Sequence, residues 1–208
     1  MQAMHLRRRL QQIRGHGLYG TLQMTLDKLH TKARFRPSKL VRRPAHVRGR
    51  AHIVFGKGVV IGPGLRAEAF PQAPGTGTLI TIGEGSILND YVHIGAARGV
   101  TIGKNVTFGS KIWVSDHDHG SYGSNGVHDD PMTHAMERPW RIAPVSIGDY
   151  AYIGENCVVL PGAQIGDGAV IGAGSIVSGT IPAFSLALGT PARVVKRYNF
   201  QSRTWDPV

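Results

Sequence analysis

Residues 114–123 read VSDHDHGSYG, and within them His117 and His119 alternate with Asp116 and Asp118. Imidazole has an ordinary pKa of about 6.5, which keeps much of it neutral near pH 7 and makes a displayed histidine a natural proton acceptor. A carboxylate that holds one ring nitrogen fixes the tautomer and leaves the other nitrogen free to act. Asp116, Asp118 or a main-chain carbonyl can serve as that partner. In an extended segment residues 117 and 119 share a face, so His119 competes with His117 for the role of base. Farther along, Arg138, Trp140 and Arg141 can hold a sugar or a charged carrier, or pin the segment to its support.

The support is a repeat. An aliphatic residue recurs at every sixth position through Ile147, Ile153, Val159, Ile165, Ile171 and Val177. Two residues before each stands a smaller companion: Val145, Ala151, Cys157, Ala163, Ala169 and Ser175. Gly148, Gly154, Gly166 and Gly172 follow four of the aliphatics. Period-six self-similarity predicts a β-helix of hexapeptide repeats, in which each coil covers the apolar edge of the next. The same beat returns upstream at Ile102, Phe108 and Val114, at Ile82, Leu88 and Ile94, and at Phe55, Ile61 and Ala67. Insertions interrupt it at residues 68–77, near Ala96–Gly99, and over residues 115–144. The pattern predicts about five triangular coils over residues 45–182, with loops expelled at corners, and an extension over residues 183–208 carrying a short helix.

The formal charge of +11 is concentrated at one end. Residues 1–50 carry 13 Lys and Arg against a single acid, Asp27, and the remaining chain is close to neutral. A neutral body argues against nucleic acid as a partner. Within this basic arm, residues 1–44, Leu6, Leu10, Ile13, Leu18, Leu22, Leu26 and Leu29 predict a helical stretch that Gly15, Gly17 and Gly20 interrupt into two pieces. Such a helix can cap the open edge of the coils, or lie on an anionic membrane surface. The lone Cys157 excludes an internal disulfide. With no visible secretory signal and no bilayer-length apolar run, the expected location is cytoplasmic, with peripheral contact at the inner membrane face.

Repeat, SDHDH loop and the ending GAGSIVSGTIPAFSLALGTPARVVKR together resemble the hexapeptide-repeat acyltransferases, on the maltose/galactoside and bacterial polysaccharide O-acetyltransferase side of that family. The resemblance spans roughly residues 45–198. It implies a left-handed parallel β-helix, a homotrimer with its active site between subunits, and acetyl-CoA as co-substrate with no metal. It also implies transfer to a sugar hydroxyl of a glycan precursor or glycoside. His117 matches the family's catalytic base, with Asp116 and His119 as the neighbours that can assist or compete. Asn89 is similar to an acceptor-binding asparagine after a one-residue shift, and Trp140 and Arg141 join it as acceptor candidates. Tyr152, Ala173 and Ser178 match the path of the pantetheine arm; Arg193, Lys196 and Arg197 match the basic tail that faces the nucleotide phosphates. Gly179 stands where relatives often carry a lysine, so one phosphate contact is absent. Two other readings share this scaffold: a γ-type carbonic anhydrase using histidines such as His93, His117 and His119 on zinc, and a non-catalytic assembly scaffold.

Overall fold

From Leu40 to Ile181 the chain lays down short parallel strands on three faces in turn, and the cycle repeats six times. The first coil consists of Leu40–Val41, Ala45–Arg48 and Ile53–Phe55; the last consists of Val170–Ile171, Ile176–Val177 and Thr180–Ile181. In this computed structural model the backbone is described for residues 2–123 and 126–208, and the side chains of the N-terminal helix from Gly17 onward. The coils begin five residues before the expected boundary at 45, and there are six rather than five. Leu40–Val41 escaped the periodicity because it pairs directly with Val60–Ile61, while the irregular stretch 49–52 breaks the count of six behind it.

Each strand is too short to hold a sheet alone, so stability comes from stacking. All six aliphatics of the regular repeat, and their six companions, are buried at 5% exposure or less. The upstream sets behave likewise, from Phe55, Ile61 and Ala67 through Phe108 and Val114. Cys157 belongs to this core; its thiol donates to the Gly172 carbonyl and burial pushes it above its ordinary pKa. The repeat glycines serve close approach. A Cβ on Gly103 would come 2.7 Å from the Asp149 amide nitrogen, and one on Gly148 2.6 Å from that of Asp167. At that corner the aspartates accept main-chain N–H groups from the neighbouring coil, Asp149 from Lys104 and Asp167 from Asp149.

Helix α1 (Gln2–Arg34) precedes the coils and is broken at Gly17, whose φ of 66° lies outside the helical region. Its polar side packs on the first coil. The Thr31 hydroxyl accepts the Val41 N–H, while the buried Asp27 accepts from the Arg43 side chain at 2.8 Å. Phe35, just past the helix, closes the end of the core against Phe55. Leu18, Leu22, Leu26 and Leu29 point away from the coils and are exposed. Leu6, Leu10 and Ile13, and the early arginines, lie outside the described side chains.

The expected C-terminal helix is absent. Ser185–Gly189 joins the first face parallel to Val170–Ile171, and Ala192–Asn199 and Thr204–Pro207 extend it further as antiparallel strands. The residues explain this: Gly189, at φ 105°, and Pro191 make a turn, and the β-branched pair Val194 and Val195 favours strand over helix.

Candidate active site

Two long insertions, residues 70–79 and 116–144, leave the coil at the same corner, between the second and third faces. The shorter link 97–99 lies between them at that corner. Together with the outer surface of the second face they enclose a cleft of about 350 Å³.

The second insertion begins as a hairpin. His117–His119 pairs antiparallel with Trp140–Ile142, with His119 opposite Trp140 and Asp118 opposite Arg141. Alternation along the hairpin puts both histidines and Trp140 toward the cleft, whereas Asp118 and Arg141 form an ion pair on the other side. Of the candidate partners, Asp116 contacts the His117 ring while Asp118 is engaged by Arg141. Asp116 is fully buried and its Oδ1 lies 2.9 Å from His117 Nδ1. The same carboxylate accepts the amides of Ala97 (2.8 Å), Arg98 (2.7 Å) and Gly99 (2.6 Å). Burial alone would raise its pKa, but the hydrogen bonds from His117 and the three amides outweigh that and hold it below the ordinary carboxylate value. An ionised Asp116 accepts from Nδ1–H, which leaves the lone pair of His117 on Nε2.

The His117 ring is fixed on its other sides as well. It stacks on Trp140 at 4.4 Å between centroids and 13° between planes, and Phe70 from the first insertion meets it edge-on at 5.4 Å. Gly95 lies beneath it: a Cβ there would come 3.3 Å from His117 Cε1. The His117 side chain is only 11% exposed, yet it lines the cleft. His119 lines the same cleft, meets Trp140 at 5.5 Å, and has a buried Nδ1 without a hydrogen-bond partner.

The floor is the second face itself. One register row runs His46, Arg66, His93, Trp113, Val158, Ile176, all pointing outward. The next row runs Arg48, Glu68, Gly95, Ser115. Glu68 takes Arg66 Nε at 2.7 Å and lies 3.2 Å from His93 Nε2. Despite its partial burial, these partners keep the Glu68 carboxyl below its usual range. Desolvation, reinforced by the charge of Arg66, lowers His93 and outweighs the pull of Glu68.

Among the remaining sequence candidates, Asn89 is exposed beyond Ile87–Leu88 at a different corner and does not line this cleft. Ser178 follows Val177 at the corner that carries the insertions, two coils beyond Ser115, whereas Ala173 lies at the corner between the first and second faces. Tyr152 is on the outer side of the first face, in the register row that continues through Val170 and Leu186 to Lys196. Arg193 pairs with Leu188 and Lys196 with Leu186, both on that outer side; a bulge between Leu186 and Ala187 sends Arg197 to the side of buried Ser185. Within one chain these residues do not converge with His117. The cleft residues absent from the sequence candidates are Arg48, Arg66, Glu68, Phe70, Gly95, Trp113, Ser115 and Met136. The signal for the strand residues was present: Arg66, His93 and Trp113 each directly precede an inward residue of the repeat, Ala67, Ile94 and Val114.

The molecule is thus a parallel three-faced coil with one corner opened around an acid-backed histidine. Residues 144–179 match the family described as bacterial transferase hexapeptide (six repeats). Over 195 residues the chain is 36% identical to the "Putative lipopolysaccharide biosynthesis O-acetyl transferase WbbJ" of Escherichia coli (strain K12), covering 92% of this chain and 95% of that protein. It is 31% identical to the galactoside O-acetyltransferase of the same organism over 130 residues, 57% of this chain and 64% of the relative. A variant of AntD, an N-acyltransferase from Bacillus cereus in complex with dTDP-4-amino-4,6-dideoxyglucose and Coenzyme A, shares the fold. Its TM-score is 0.64 at 18% identity, covering 84% of this chain and 90% of that one. The chain belongs to the hexapeptide-repeat acyltransferase family.

Proposed function

We propose that this enzyme is an acetyl-CoA-dependent O-acetyltransferase whose acceptor is a sugar hydroxyl on a cell-envelope glycan precursor or glycoside. The observation that carries the reading is the His117 geometry: Nδ1 bound to buried Asp116, the ring clamped by Trp140, and Nε2 left to the cleft. In the reaction, Nε2 accepts the acceptor's hydroxyl proton as its oxygen bonds to the thioester carbonyl carbon. The C–S bond then breaks, and the sulfur leaves as thiol with the proton His117 returns. Asp116, kept ionised, stabilises the transient imidazolium. Transfer is direct, with no acetylated enzyme.

The related proteins WbbJ and galactoside O-acetyltransferase, by their names, support an O-linked sugar acceptor. Co-substrate binding is assigned to Tyr152, Ala173, Ser178, Arg193, Lys196 and Arg197. Because these do not converge with His117 in one chain, the reading requires a left-handed coil assembled as a homotrimer, with the site completed between subunits. The N-terminal segment is assigned to the face of an anionic membrane. Its leucine side is turned away from the coils, and its one acid, Asp27, is already neutralised by Arg43. Among the described residues no helix is long and apolar enough to cross a membrane.

Calorimetric titration with acetyl-CoA, repeated on Arg193→Ala, tests the co-substrate assignment. Saturable binding that weakens in the variant is expected. No binding by the wild type would discard the transferase reading, and metal analysis of the purified protein would then test the zinc alternative.

A further inference from the structure

The cleft is asymmetric in charge on the N-terminal side of His117. Arg48 and Arg66 face Glu68 there, an excess of one positive charge among those three strand residues, and the surplus is unpaired. Among the described residues Arg48 has no carboxylate within 4.0 Å; its guanidinium lies over the Phe70 ring, 5.1 Å from the centroid. Arg66 engages Glu68 through Nε. Glu68 thus acts as a bracket that fixes Arg66, and Phe70 fixes Arg48 by stacking. Both arginines line the cleft, Arg66 with Glu68 on its Nε and Arg48 with Phe70 beneath its guanidinium, and guanidinium groups are suited to recognise phosphoryl oxygens.

Position agrees with this chemistry. Arg48, Glu68 and Gly95 are successive members of one register row, and Gly95 lies directly under His117. Two strand spacings, about 10 Å, therefore separate the Arg48 backbone from the point beneath the base. Arginine side chains reaching back along the floor span the width of a sugar ring carrying a phosphoryl group, with a hydroxyl of the ring at His117.

We infer that Arg48 and Arg66 form an anion subsite for a phosphoryl group of the acceptor, so that the substrate is a glycosyl phosphate or pyrophosphate ester rather than a neutral glycoside. This rests on the transferase reading for its meaning, but the binding itself can be measured without any transfer. Inorganic pyrophosphate is titrated calorimetrically into the full chain, with and without saturating CoA, so that phosphate contacts at the co-substrate residues are separated. With CoA present, pyrophosphate should bind saturably. Arg48→Ala and Arg66→Ala should each weaken it about tenfold or more, whereas Lys57→Ala, an exposed cation outside the cleft, should leave it unchanged. Arg48 is exposed, and melting curves of each variant check that the fold is retained. Equal affinity in wild type and Arg48→Ala, or no pyrophosphate binding by the wild type, would overturn the subsite. Failure of CoA itself to bind would instead strike the transferase reading. Competition by uridine diphosphate against a short prenyl pyrophosphate then separates a nucleotide-linked from a lipid-linked source.

Discussion

The first four coils and the last two share one wall and one inward pattern, yet their outer surfaces differ. Along a single register row the second face changes from His46, Arg66, His93 and Trp113 in the first four coils to Val158 and Ile176 in the last two. At the corner beside it, residues 70–79 and 116–144 extend outward in the early coils, whereas the last coil turns within residues 178–179. Inward positions are constrained by stacking, since each must fit the coils above and below. Outward positions and corners carry no such demand, so differences there can be spent on chemistry. His117 stands over the boundary between the two halves. The ionisable half suits a polar acceptor, and the apolar half suits an acyl carrier.

The largest expected effect lies at that boundary. His117→Ala should lower kcat by about 10²–10⁴-fold, the usual contribution of a positioned base, with acetyl-CoA affinity near wild type and a lowered melting temperature, since the ring packs on Trp140 and holds Asp116. If kcat falls less than threefold in steady-state assays, the boundary is not where the proton moves. Asp116→Asn should follow with a loss of about 10²-fold and its own loss of stability. Both Asp116 oxygens accept N–H donors, so either orientation of an amide turns an NH₂ group against a donor. Leaving such buried groups unmatched costs about 2–4 kcal/mol in denaturant unfolding. The pH dependence has a definite sign. Asp116 titrates lower when folded than when unfolded, so the stability it confers is complete above the ordinary carboxylate value of about 3.9 and is lost as pH falls through that value toward the folded one. Wild type and Asp116→Asn should therefore converge in stability in strong acid.

These residues also show what was legible in the chain. The regular coils announced themselves because burial at Ile153, Val159, Ile165 and Ile171 admits only a narrow choice of side chain, and the choice repeats. His117 was legible as an imidazole out of place in an aliphatic pattern. Its partner was not, because Asp116 and Asp118 differ only in the side of the hairpin they occupy, and the pairing with Trp140–Ile142 decides that. Arg48, Glu68 and Phe70 were hidden for another reason: they reach the cleft through lateral stacking of coils, a relation that sequence distance does not record. The C-terminal strands were missed because a run of basic residues around Val194 and Val195 reads equally as a helix face until the turn at Gly189 is known to fold it back.

The apolar half gives the third expectation. Val158→Asp places a carboxylate between Trp113 and Ile176 on the outer surface, without touching the core. It should raise the KM for acetyl-CoA about tenfold and leave the acceptor KM within twofold. The reverse pattern in initial-rate kinetics would exchange the roles assigned to the two halves. Dissociation of the assembly in sedimentation velocity would instead make this half a subunit contact.

Gly95→Ala is the smallest and most local perturbation of the boundary. Gly95 is not among the glycines with positive φ, so alanine meets no backbone penalty there. Its Cβ would come 3.3 Å from His117 Cε1, close enough that the ring must shift by a few tenths of an ångström. The ring has little freedom to do so, since Trp140 lies stacked on it and Asp116 holds Nδ1. The expected result is a fall in kcat of about three- to tenfold from misplacement of Nε2, with both KM values and the unfolding midpoint nearly unchanged. A variant with wild-type kcat would mean that the clamp on His117 is looser than its contacts indicate. A variant that loses acceptor KM instead would move the sugar onto Gly95, and thereby shift the boundary between the halves toward the N-terminal coils.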